Sequence, residues 1–228
     1  MDVRKSQHTQ EDAYNTLREE AYRQFMNAML DRKFRPGRML SQRELAKWTG
    51  SSLASMREAL KRLEGEGVVK LIPQRGVLIT EVTRKDIADA YDFRILIETH
   101  AIRHYVANCD PAEVERIRAQ TKEILAAIPD EKGIEHFNRC LEIDRELHRQ
   151  IVAALDNSAM SDTHQKIETT MMLARLNLPA KLNAGTAAFE EHLDLLNAIN
   201  SGDPENAAAS LRNHLIKARE RAMEFAEL

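Results

Sequence analysis

Apolar residues recur three and four positions apart from about Ala13 to Asp31, with Leu17, Ala21, Phe25, Ala28 and Met29 sharing one side, and this predicts a first helix. Ser41 is placed to cap a second helix from Gln42 to about Trp48, and Glu44 is placed to reach back to that cap. Thr49-Gly50 ends it, because glycine permits the left-handed turn that stops helices. A third helix starts at Ser51 or Ser52 and runs to about Glu64, with Met56, Ala59, Leu60 and Leu63 on its apolar face. Its other face carries Ser52, Ser55, Arg57 and Lys61. After Gly65-Glu66-Gly67 the rhythm changes: Val68 to Ile72 and Val77 to Val82 are β-branched runs around Pro73-Gln74-Arg75-Gly76, which predicts a hairpin.

Beyond residue 82 the strand signals stop. Thr83 to Asp86 form a second capping box, opening a helix to about Ala107. Asp110-Pro111 begins another, which ends near Ile128-Pro129. Further helices are expected from about Ile134 to Leu155, Ser158 to Asn177, Thr186 to Asn200 and Pro204 to Ala226, the last capped by Asp203. The expected fold is mainly α: a winged helix-turn-helix over residues 1–80, then an all-α bundle over residues 84–228. Two short helices joined by a tight turn place the second in a DNA major groove. A hairpin tip with a cation beside a glycine suits close approach to a phosphate or the minor groove.

Net charge sharpens this division. The whole chain of 228 residues carries only −3, a poor balance for a DNA binder. Residues 13–82, however, hold 13 Lys and Arg against 8 Asp and Glu, whereas residues 83–228 hold 18 against 25. A basic half joined to an acidic half points to DNA contact at one end only. Apolar residues make up 43% and charged residues 30%, ordinary for a soluble protein with a core. No run approaches a membrane span, and residues 1–12 lack the apolar stretch of a signal peptide. Cys109 and Cys140 make no disulfide framework; they read as small packed groups in a reducing cytoplasm.

The acidic half carries polar groups on apolar stripes. Leu141, Asp144, His148, Ile151 and Leu155 are three or four apart, so Asp144 and His148 are expected to face the bundle interior. His192 lies between Phe189 and Leu196, and His214 between Leu211 and Ala218. Burying such groups unpartnered costs several kcal/mol, roughly 2–7 for a neutral polar group. A divalent cation would partner all four, zinc first, with nickel or manganese as alternatives. The bland alternative is four separately hydrogen-bonded core residues. His100 and His104, also one turn apart, read as an ordinary helix face.

Two resemblances join these readings. The segment Leu40 to Ala46, the run Ser52 to Leu63 containing Met56-Arg57-Glu58-Ala59-Leu60, then Gly67-Val68-Val69 and Gln74-Arg75-Gly76 resemble the N-terminal domain of GntR-family transcription factors. Phe34 to Leu40 looks like that family's loop between its first two helices. The resemblance implies DNA contacts from Arg43, Ser52, Leu53, Ala54, Ser55, Arg57, Arg75 and Gly76. Leu53 stands where the family usually has arginine, so a bidentate guanine contact of roughly 1–3 kcal/mol of discrimination is missing.

Residues 84–224 are similar to the FCD ligand-binding domain of the FadR subfamily, through Arg94-Ile95-Leu96-Ile97-Glu98, Asp144-Arg145-Glu146-Leu147-His148, Glu190-Glu191-His192, Ala198-Ile199 to Gly202-Asp203, and Arg212-Asn213-His214-Leu215. That likeness implies a metal held by Asp144, His148, His192 and His214, with a pocket beside it for an effector carboxylate. Arg94 is then a candidate to grip the anion, or else it braces its helix by pairing with Glu98; Arg175 is a second candidate, or a cation on a solvated face.

The expected protein is a cytoplasmic, metabolite-responsive repressor that binds a palindromic double-stranded operator as a homodimer and has no membrane partner. The rival reading is a metal-dependent hydrolase fused to a DNA-binding domain, since an open Asp/His site can activate water.

Overall fold

The computed structural model describes residues 3–128, 134–176 and 186–225, and the chain divides into two compact units, Met1–Glu81 and Val82–Leu228. In the first unit α1 (Val3–Leu30) packs on α2 (Gln42–Thr49) and α3 (Leu53–Gly65). The helix starts well before Ala13, and Leu17 is exposed rather than buried, so the apolar stripe engages the core only from Ala21 onward, through Phe25, Ala28 and Met29. These side chains meet Phe34, Leu45, Met56, Leu60, Leu63, Val77 and Ile79 in the interior.

The capping box predicted for α2 is formed: the Glu44 amide donates to Ser41 Oγ at 3.1 Å, and the Ser41 amide donates to the Glu44 carboxylate at 2.7 Å. Gly50 closes the helix with φ +65°, and its amide bonds back to Ala46 and Lys47 carbonyls. Strands β2 (Val69–Ile72) and β3 (Gly76–Ile79) form the expected hairpin. A strand absent from the sequence reading, β1 (Met39–Leu40), adds to β3 antiparallel, so the sheet order is β1-β3-β2. Two residues give no detectable alternation, and only the pairing reveals them.

The second unit contains, among its described residues, six helices: α4 (Arg84–Asn108), α5 (Pro111–Ala127), α6 (Ile134–Ala153), α7 (Ser158–Leu176), α8 (Thr186–Asn200) and α9 (Pro204–Phe225). Pro129, Asn177 and Ala226, named above as helix limits, lie outside the described residues. Helix α4 is central, packing on α6, α7 and α9, while α8 joins α9 to α5. The main core gathers Ile97, Ala101, Ile102, Ile117, Leu147, Ile151, Leu195, Leu196, Leu211 and Leu215 from five of the helices. Cys140 is buried and Cys109 half-buried, and the two are not joined in a disulfide. None of the described helices is long and apolar enough to cross a membrane.

Candidate functional site

The first unit presents its cations outward. Ser52 caps α3 by accepting the Ser55 amide at 3.0 Å, and Ser52 and Ala54 are exposed at the helix start with Leu53 half-buried between them. Arg57 is exposed one turn on, and its Nε donates to the Gln42 side-chain carbonyl at 3.2 Å, so α2 steadies it. Arg43 on α2, Lys61 on α3 and Arg75 at the hairpin tip are also exposed.

Two other expected DNA contacts sit differently. Ser55 is 2% exposed, because it lies one helical turn before Ala59 on the buried stripe; its hydroxyl is 2.9 Å from Ser52 Oγ. It therefore helps fix the start of the helix instead of facing outward. Gly76 has φ +124°, and a Cβ there would lie 2.5 Å from the Leu40 carbonyl oxygen. The approach of β1 alone thus demands glycine here.

In the second unit Asp144 and His148 stand one turn apart on α6, His192 on α8 and His214 on α9. All three imidazoles are buried, and one nitrogen from each lies within 4.8 Å of the others. His192 Nε2 and His214 Nε2 are 3.2 Å apart; Asp144 Oδ1 is 3.5 Å from His192 Nε2 and 4.0 Å from His148 Nε2. Ligands about 2.0–2.1 Å from a tetrahedral ion lie roughly 3.4 Å from one another, so two of these spacings are already those of a zinc site. His148 Nε2 is buried with no partner among the described residues, as an unfilled ligand position would be. The donor set fits a borderline divalent ion. Burial, then the neighbouring His214, pushes the His192 pKa well below the ordinary imidazole value; burial also lowers that of His214, against the pull of Glu191. Both shifts favour the neutral ring, the form that binds metal.

Behind this group stands a set of charged partners that spacing alone does not disclose. Glu98, fully buried on α4, accepts from Arg94 Nε at 2.6 Å and lies 2.6 Å from His148 Nδ1 and 3.0 Å from His164 Nε2. Burial alone would raise its pKa, but Arg94 foremost, with His148, holds it well below the carboxylate range. Glu191 lies 2.9 Å from His214 Nδ1 and accepts from both Arg221 amino groups at 2.9 and 2.8 Å. Against burial, these partners bring its pKa down to about 2. Arg175 is not on a solvated face: its Nη1 donates to Asp144 Oδ2 at 3.0 Å. Among the described histidines the one that sequence spacing missed is His164, buried on α7 and one turn from the buried Glu168. His100 and His104 are exposed, as expected of a helix face.

A pocket opens beside the histidines, lined by Arg94, Asp144, Arg145, His148, Glu168 and Arg175 and floored by Leu141, Met171 and Met172. Counting open solvent, the space between these side chains comes to about 310 Å³. Arg94 pairs with Glu98, as the bracing reading expects, and also lines the pocket.

Residues 17–79 match the model for bacterial regulatory proteins of the gntR family, and residues 89–217 match the FCD domain. The chain is similar to an uncharacterised HTH-type transcriptional regulator, YdhC, of Bacillus subtilis, at 25% identity over 194 residues, which is 85% of each chain. Among solved structures, E. coli McbR/YncC superposes with a TM-score of 0.74 at 18% identity, covering 91% of this chain and 97% of that one. The zinc-bound FCD domain of TM0439 superposes with a TM-score of 0.50 at 24% identity, covering 63% of this chain and 96% of that domain.

Proposed function

This chain belongs to the FCD-domain regulators of the gntR family, and from that premise we propose a repressor whose hold on its operator answers to a small carboxylate bound beside a divalent metal. It is a DNA-binding transcriptional regulator and not an enzyme, which retires the hydrolase reading. The observation that carries the finer reading is the gathering of three buried imidazoles, with the Asp144 carboxylate 3.5 Å from His192 Nε2, beside a pocket that three arginines line.

Asp144, His148, His192 and His214 would hold the ion, zinc before nickel or manganese, and the zinc of the TM0439 domain supports that order. When bound, the metal supplies an open coordination position for an effector carboxylate. Arg94 and Arg175 line the same pocket and offer paired N–H donors to the anion. Three methylene-rich or apolar side chains, Leu141, Met171 and Met172, shape the remainder for the effector's carbon skeleton.

At the operator, Arg43 and Arg57 contact bases or phosphates, the start of α3 from Ser52 to Ala54 fixes register, and Arg75 serves the wing. One recognition helix reads only a few base pairs, so a homodimer on a palindromic site is the economical arrangement. The protein acts in the cytoplasm, where its operator lies, and effector binding releases the DNA by changing the packing of the helical unit.

Native mass spectrometry of the full chain as purified, paired with an operator gel shift in the presence of candidate carboxylates, tests this. The expected result is a dimer carrying one ion per chain whose DNA complex is dissolved by one class of carboxylate. An ion-free protein that binds DNA indifferently to every carboxylate would overturn the sensing role.

A further inference from the structure

The metal reading leaves a question about hydrogens. A neutral imidazole carries one N–H, and only the other nitrogen can bind a cation. The structure places an acceptor-only group behind two of the three rings. Glu98 lies 2.6 Å from His148 Nδ1, and Glu191 lies 2.9 Å from His214 Nδ1. Glu98 already accepts from Arg94, and Glu191 from both amino groups of Arg221, so these carboxylates act as acceptors and the two Nδ1 atoms as donors. The Nε2 lone pairs of His148 and His214 are thereby aimed inward, at the nitrogens that gather within 4.8 Å.

His192 is the exception. Its Nδ1 is buried and has no hydrogen-bond partner among the described residues, so no carboxylate stands behind this ring.

We propose that Glu98 and Glu191 are positioning residues of the metal centre, presetting His148 and His214 to bind through Nε2, while His192 is the ligand with no such support. This rests on the metal reading above. Glu98 also holds Arg94, so the buried carboxylate that orients a metal ligand is the one that restrains an arginine of the effector pocket.

The test uses the full-length protein labelled with 15N at histidine, with zinc as the probe. Long-range proton–nitrogen spectra of the metal-free protein should show His148 and His214 protonated at Nδ1, each assigned by its His→Gln variant. Zinc should leave both unchanged. Chelator competition should then show zinc affinity reduced about 10–100-fold by Glu98→Gln, and less by Glu191→Gln, whose carboxylate is nearer solvent.

Nε2–H on metal-free His148 or His214, or zinc affinity within about threefold of wild type in both variants, would overturn the proposal. Should Glu98→Gln fail to fold, the wild-type spectra and Glu191→Gln still decide. Failure of the metal reading looks different: wild-type protein would take up no zinc, while the metal-free tautomers would still report on the two carboxylates.

Discussion

The DNA-reading unit keeps its charges outside an apolar interior, while the helical unit carries its most consequential charges within. Arg43, Arg57 and Arg75 stand in solvent over a core of Phe25, Met56, Leu60 and Val77. Arg94, Glu98, His148, His164, His192 and His214 are all at most 5% exposed, yet they are ionic or strongly polar. The first arrangement suits a surface that must meet a highly charged polymer and leave it again, since exposed cations are screened and cheap to hydrate. The second suits recognition of one small ion or anion, because water is excluded and each contact is correspondingly stronger. A buried polar group unpartnered costs free energy, so a ligand that partners the inner imidazoles would stabilise the second unit.

Removing the inner ligands should break that contrast most sharply. Replacing both His192 and His214 with Ala should abolish metal uptake, read by elemental analysis of the purified protein, while operator fragments still shift in a gel. Retained stoichiometric metal would show that other side chains ligate it.

Acid should separate the units next. His192 and His214 have folded-state pKa values depressed below the ordinary 6.5, so the unfolded chain binds more protons than the folded one as pH falls. Stability of the helical unit should therefore decline progressively below about pH 6.5, and zinc should restore it at pH 6. Urea unfolding of metal-free protein at pH 7.5, 6 and 5 measures this; a flat midpoint across the series would contradict neutral buried imidazoles.

A surface change should be local by comparison. Arg57→Ala should weaken operator binding by about 1–3 kcal/mol if the side chain reaches a base edge, with an unchanged melting temperature. Unaltered affinity in the gel shift would remove Arg57 from the interface. The smallest effect is expected from Ser41→Ala, which deletes half of the α2 capping box and should cost the first unit about 1 kcal/mol in thermal unfolding. A loss within error would mean that Glu44 alone suffices.

The same contrast explains what could be read from residue order. Caps and stops act within four residues, so Ser41, Gly50, Ser52, Thr83 and Asp110 disclosed their helices directly. Spacing also identified four side chains, Asp144, His148, His192 and His214, that share an interior stripe position and are brought together. What lay beyond reach depended on partners distant along the chain. Glu98 meets His148 and His164 across 50 and 66 residues, and no local pattern marks such a node. Ser55 looked like a polar surface residue because its type was weighed above its position one turn before Ala59. Leu17 erred the other way: its periodicity continued past the point where there was anything to pack against. Gly76 was rightly singled out, but the backbone that crowds it belongs to β1, two residues of strand with no signature of their own.

That crowding fixes a mechanical property of the DNA-reading unit. Leu40, against whose carbonyl the base of the wing is pressed, immediately precedes the serine that caps α2, and α2 in turn steadies Arg57 through Gln42. Wing and reading helix are thus clamped to a common anvil, and the gap from Arg75 to Arg57 behaves as the set jaw of a calliper. If Arg57 and Arg75 meet DNA as proposed, such a gauge would sense how wide and how pliant a duplex is, and sequences differing only in stiffness between the contacted positions should be told apart.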